Sequence, residues 1–296
     1  MGSLFSKSLA VMKNQFCKTA KDSKFWICAI LTVCILVQYL YPLNVSGLKY
    51  GTKTTPFLLS VVYTDAYISN GLLKVLIYLV MVTVFCDAPF VSEQTQYEVV
   101  RSGVGAWHLG KILYIWLMSF LYPLFLSVVI FVIVLPTVTF HDLWGSTMRD
   151  MADMYGSVLA YTGSLMPPVR VIKMIYPWSA HALTFLISAL SNVFIGYVIY
   201  LGNLWVNRNG AGVAAAVFIV MVDPIVDYWG IGKHNWLYRI SPISWSSIEH
   251  WDIVGSMEPI PMAYAFAGYL ILIAVLGAGI FLVCGKRRNI LTAGVQ

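Results

Sequence analysis

The sequence predicts an all-α, polytopic membrane protein with six transmembrane helices and an amphipathic helix at its N-terminus. Three observations carry that prediction. Hydrophobic residues make up 59% of the 296 and charged residues only 11%, where a soluble domain carries about 25% charged. The apolar residues gather in long runs, most with room for the ~20 residues of a spanning helix. Aromatic residues reach 15%, as expected where Trp and Tyr line two membrane–water interfaces. The chain reads as one transmembrane domain, 1–296, without an internal boundary, repeat or low-complexity stretch.

Segment 1–25 is too basic and too long for a signal peptide, and the apolar run behind it is too long for a signal core. Phe5, Leu9, Met12 and Phe16 recur at helical spacing, while Lys7, Lys13, Lys18, Lys21 and Lys24 fill other faces. This describes a helix lying on the inner membrane surface with its lysines near anionic headgroups. Residues Met1 to Ser6 also fit a myristoylation pattern, but one acyl chain adds little to a protein with several spans.

The spans are placed at about 26–43, 66–86, 112–136, 177–206, 211–228 and 262–284. Behind span 1, Asn44-Val45-Ser46 spells a glycosylation sequon hard against the membrane. Span 2 is awkward, because Lys74 and Asp87 bracket too few uncharged residues, Val75 to Cys86, to cross. Its helix is expected to start near Ser69 with Lys74 inside it, snorkelling to the outer interface; a wet cavity or an acidic partner are the alternatives. Apolar residues 54–65 read as an extension of that helix. Pro123 and Pro136 predict a kink in span 3, Pro177 opens span 4, and Asn207 to Gly210 make a tight turn before span 5. External segments are expected at 137–176 and 229–261, the latter with a helix or re-entrant turn from Ile240 to Trp251.

Six spans put both termini on one side. With them in the cytoplasm, inner segments hold eleven of the nineteen Lys and Arg residues on less chain than the outer segments, which satisfies the positive-inside rule in a plasma membrane. The net charge of +6 is then loop bias. No basic stripe interleaved with aromatics stands in a polar segment long enough for a nucleic-acid surface, so no nucleic-acid partner is expected. The five cysteines, Cys17, Cys28, Cys34, Cys86 and Cys284, all avoid the external segments and read as small buried hydrophobes.

Signals for chemistry are sparse. Gly105 to Lys111 spells G-x-x-x-x-G-K, but Ile112 stands where a phosphate loop needs Ser or Thr, and a membrane span follows. Asp223 and Asp227 are one helical turn apart in span 5. With Lys74 they are the candidate intramembrane charges, the two acids expected at an interface, at a Pro-broken helix end or paired with a base. No HxxxH, HExxH or Gly-x-Ser-x-Gly pattern occurs, so the chain is not read as an enzyme and no cofactor or metal is assigned to it.

The segment from Asp87 to Lys111 remains. Pro89 follows span 2, Glu93 to Val100 can form a short helix, Ser102 to Gly105 break it, and Trp107 re-enters the interface. Glu93 and Glu98, then Arg101, then Gly110-Lys111 at the foot of span 3, resemble the loop between spans 2 and 3 of permease subunits in type-2 ATP-binding cassette exporters. The span count, the N-terminal helix, the short loop between spans 4 and 5 and the longer one between spans 5 and 6 are similar too. One departure is the sizeable outer segment 141–173, where a substrate gate or an accessory contact would sit.

The resemblance implies a cytoplasmic coupling helix within 87–111. Glu93, Glu98 and Arg101 would face an ATPase subunit; Trp107, His108, Gly110 and Lys111 would complete the coupling set and fix the helix at the membrane. It implies two such ATPases, carrying the ATP and Mg that this chain lacks, and a second permease subunit in a homo- or heterodimer within the lipid bilayer. A cavity lined by spans 2 and 5 would move a hydrophobic or amphipathic substrate by alternating access. Two other classes stay open on the residues alone: an ion-gradient-driven secondary transporter or channel, and an integral membrane enzyme.

Overall fold

The structure, a computed structural model, describes residues 2–64, 71–91, 95–140, 143–153, 168–206, 210–230, 235–253 and 260–293, with backbone only at 2–3, 71 and 285–293. It is an all-α polytopic architecture. Its helices in chain order are α1 (Gly2–Lys21), α2 (Ser23–Tyr50), α3 (Leu59–Val62), α4 (Gly71–Phe85), α5 (Thr95–Ser102), α6 (Val104–Val134), α7 (Gly145–Asp153), α8 (Val169–Met174), α9 (Pro177–Val206), α10 (Ala211–Gly230), α11 (Leu237–Ile240) and α12 (Met262–Ala293). A two-residue parallel pair, Trp251–Asp252 with Ile260–Pro261, accompanies them.

Among the described residues, five helices are long and apolar enough to cross a membrane: α2, α6, α9, α10 and α12. Helix α4 has 15 residues, or about 22 Å at 1.5 Å per residue, short of a hydrocarbon core of about 30 Å. Residues 65–70, where span 2 was expected to begin, lie outside the described residues. Of the stretch 54–65, expected to extend that helix, the described residues 54–64 hold α3, a separate single turn that is wholly buried and ends at Val62. Thr54 is held against the end of α6 instead, donating to the Thr137 carbonyl at 2.9 Å and accepting from Thr139 at 2.9 Å.

Helix α9 is the axis of the bundle, with 67% of its spanning window buried against 17–39% for the other four. It packs on α4, α6, α10 and α12. Helix α10 buries Gly212, Ala216, Val220 and Asp223, a stripe at helical spacing whose first residue meets α9 and leaves no room for a β-carbon against the Ile199 backbone. Pro177 opens α9, as expected. Pro123 lies inside α6, whereas Pro136 lies beyond it in a 3-10 turn.

Several expectations are corrected. The helix of span 3, expected from about residue 112, begins at Val104 and carries Trp107, His108 and Lys111 on its first turns. Gly103 alone separates α5 from α6, with a φ of 87° that an L side chain rarely adopts. The stretch from Ile240 to Trp251 runs from the last residue of α11 through two 3-10 turns, Ser244–Ser246 and Ile248–His250, to the fully buried Trp251. Of the cysteines only Cys28 is buried; Cys17 and Cys34 are exposed. Asn44 of the sequon is buried, with its amide bonded to the Ile133 carbonyl and Thr137. The region 137–176, expected to be external, holds α7 and α8, and residues 154–167 are outside the described part.

Candidate functional site

Among the described residues, polar side chains gather at two places, one at each end of the bundle. The first is where α1, α5 and α6 meet. Ser8, Val11 and Gln15 share one face of α1 and are buried against α6. The approach is close because Gly110 has no side chain: a β-carbon there would stand 2.6 Å from Val11 Cβ and 2.7 Å from the Ser8 carbonyl. Phe5 and Leu9, on the apolar stripe legible in the sequence, remain exposed on another face.

Glu98 is the centre of this junction. Its Oε1 accepts from Asn14 and Lys18 of α1, each at 2.7 Å, and its Oε2 accepts from the Trp107 indole of α6 at 3.1 Å. Lys111 Nζ lies 3.7 Å from the same Oε2, donates to Gln15 at 2.7 Å and sits over the Trp107 ring. Burial alone would raise the Glu98 carboxyl; the Lys18 bond, the Lys111 charge and the Trp107 bond outweigh it and hold the group below its ordinary 4.5. His108 Nδ1 pairs with the Tyr200 hydroxyl of α9 at 2.6 Å.

The sequence-based set therefore divides. Glu98, expected to face outward, turns inward and with Trp107 and Lys111 ties α5 to α1 and α6, while His108 ties α6 to α9. Arg101 stays exposed, beside Tyr97 at 75% and Val100 at 79% exposure. Glu93 lies outside the described residues. The G-x-x-x-x-G-K stretch is helical and cannot wrap a phosphate, since Gly110 packs on α1 and Lys111 is engaged. Sequence reading missed Asn14, Gln15 and Lys18. Their 14, 15, 18 spacing puts them on one helix face, but the many lysines around them pointed to headgroups instead.

Asn203, also missed, joins two further elements at this end. Its Nδ2 donates to the carbonyls of Ala88 at 2.6 Å and Cys86 at 3.3 Å, beyond α4. Its Oδ1 accepts from the amides of Gly210 and Gly212, at the start of α10, at 3.0 and 2.9 Å. Residues 207–209 of that turn are outside the described part.

The second place is near the opposite end. Lys74 of α4 does not snorkel. It is fully buried, with Nζ 2.5 Å from Asp223 Oδ2 and 3.9 Å from Asp227 Oδ2, both on α10. Geometry leaves it no other course, since Lys74 faces α10 and not the lipid. The folded-back segment completes the cluster. Ser244 donates to Asp223 at 2.7 Å, and Ser247 accepts from Lys74 at 3.1 Å while donating to the Tyr63 carbonyl at 2.7 Å. His250 Nε2 stands 3.6 Å from Asp227 Oδ1 with its ring stacked on Tyr238. The serines gave no sequence signal, because nothing local marks which hydroxyl will meet a distant carboxylate. Among the described residues no group of three His, Cys, Asp or Glu side chains is placed to hold a metal ion.

No family model matches the chain, and no curated protein or solved structure is significantly similar to it.

Proposed function

We propose that this chain is the membrane-spanning subunit of an ATP-driven exporter, with α5 as the coupling helix that receives the motion of a separate ATPase. The observation that carries the reading is the Glu98 junction together with what α5 leaves uncovered. One face of this short helix is bound to α1 and α6 by the half-buried Glu98 carboxylate, and its other face presents Tyr97, Val100 and Arg101. Two exposed apolar side chains beside an Arg are the composition of a protein-docking patch, where aromatic and Arg anchors dominate. A push on that patch reaches α6 through Trp107 and Lys111, and α1 through Lys18.

In this reading the six segments α2, α4, α6, α9, α10 and α12 all cross the plasma membrane, with both termini and α5 in the cytoplasm. Two permeases and two ATPases assemble. ATP binds the closed ATPase dimer better than the open one, and that difference shifts the permeases from inward to outward access. The apolar spans suit a hydrophobic or amphipathic substrate such as a peptide, a lipid-linked compound or a drug. Resemblance in the polar loop and in the order of elements supports this assignment.

A pull-down from detergent tests it. Wild type is expected to retain an ATPase with a complete phosphate loop. Tyr97→Asp and Arg101→Glu should each lower retention about tenfold, the loss of one interface anchor of roughly 1.4 kcal/mol. Absence of any ATPase on wild type sinks the proposal.

One observation favours a second reading, an ion-gradient-driven transporter: Lys74, two carboxylates and His250 are clustered in the interior. Such groups exchange protons in membrane carriers. That reading requires transport to survive ATP depletion and to collapse with a protonophore.

A further inference from the structure

Two cavities at the α1 end share a wall. The first, about 230 Å³, is polar, with Gln15, Lys18, Thr19, Asp22, Lys24 and Asp87 around it. The second, about 410 Å³, is apolar and lined by Phe16, Val84, Met118, Phe125 and Val128 among others. Phe25, Cys28 and Val84 border both. The pair is one amphipathic site, with a charged mouth at the turn between α1 and α2 and a greasy groove beneath it.

We infer that this site holds one zwitterionic glycerophospholipid, its phosphoethanolamine-type head in the mouth and an acyl chain in the groove. Depth supports a lipid. Along α6 the groove wall runs from Met118 to Val128, about 15 Å of helix at 1.5 Å per residue and so about one leaflet of a 30 Å core. Position supports it as well. Trp26, on the groove wall, is 56% exposed and donates its indole N–H to the Ala20 carbonyl at 2.9 Å, the placement of an interfacial tryptophan. The groove opens to the side of the bundle past Leu124 and Val128, which are half exposed.

Charge selects the head. The mouth carries Lys18, which Glu98 already holds at 2.7 Å, and Asp22, which accepts from the Lys24 amide at the head of α2, so the charges that meet a head with one phosphate and one ammonium are Lys24 and Asp87. Lys24 and Asp87 are paired at 3.1 Å, yet both are more than half exposed, so the pair opens easily to admit an ion of each sign between them. A phosphate accepts from Lys24, and a primary ammonium donates to Asp87. An anionic head without the ammonium leaves Asp87 facing like charge, and a neutral diacylglycerol uses neither group. The site is independent of whether an ATPase docks on α5.

Native mass spectrometry of the delipidated full chain tests this, with phosphatidylethanolamine, phosphatidylglycerol and diacylglycerol of matched chains added in equal amounts. One phosphatidylethanolamine adduct is expected, exceeding each of the others about tenfold. Lys24→Gln with Asp87→Asn should bring the three lipids level without loss of monodisperse protein. Met118→Trp should remove the adduct by filling the groove, and Val128→Trp, at the exposed rim, should do the same if the first variant misfolds. A Leu186→Trp control on another exposed surface should bind as wild type. Equal adducts of all three lipids on wild type overturn the proposal, as does preference for phosphatidylglycerol. So does efficient disulfide cross-linking of Leu124→Cys chains, which would place a second copy over the groove.

Discussion

A lysine ammonium in the interior of a membrane bundle persists only with partners, because neither lipid nor apolar side chains replace its hydration. Lys74 has Asp223 at 2.5 Å and Ser247 at 3.1 Å, and Ser244 donates to the other oxygen of that carboxylate at 2.7 Å. Breaking such a pair from one side leaves a buried charge and costs about 3–5 kcal/mol, whereas replacing both by apolar groups is often neutral. Lys74→Met is therefore expected to lower the thermal midpoint in detergent sharply, and Lys74→Met with Asp223→Leu to recover most of it. If the double variant is no better than the single, the two charges do not act as a pair. Lys74 and the two aspartates were visible in the sequence as charges in apolar runs. That they meet was not, because α4 and α10 are brought together by packing on α9.

At the scale of elements, α5 is too short to hold itself, since isolated helices under about 12 residues are marginal in water. Its order comes from Glu98. Because the carboxyl is held below its ordinary 4.5 by Lys18, Lys111 and Trp107, the ionised form favours docking. The sign follows from linkage: a lowered folded value gives stability that is complete above the unfolded value and is lost as pH falls through the folded one. Spin labels at Lys13 on α1 and Gln96 on α5 should give one narrow distance from pH 8 down to about 5, broadening only under more acid conditions. Glu98→Gln should broaden it at every pH. Broadening of wild type near pH 6 would assign the docking to some other group. A short helix around Glu98 was legible in the sequence; its anchoring to α1 was not, since Lys18 reads locally as one lysine among many.

For the whole molecule, the ends of α4 and α9 and the start of α10 are tied by one side chain. Asn203 offers its amide to the carbonyls of Cys86 and Ala88 and its oxygen to Gly210 and Gly212. Asn203→Leu leaves these backbone groups without that partner, at a cost of about 1–3 kcal/mol for each buried group left unmet. Amide hydrogen exchange is expected to rise together at 86–91 and 210–213. A rise confined to one of them would show that Asn203 does not join them.

The sequence by itself determined that this is an apolar helical bundle, where most of its helices lie and which polar segment interrupts them. Hydropathy and turn chemistry are properties of neighbours along the chain, so Pro177 at the head of α9 and the break at Gly103 could be read directly. Only the tertiary structure decided which charges face one another. It turned Glu98 inward to Lys18 and left Arg101 outside, and it buried Lys74 against Asp223 instead of letting it reach water. The physical reason is that a charge in a membrane protein is tolerated according to its partners in space, and those partners come from helices far apart in the chain.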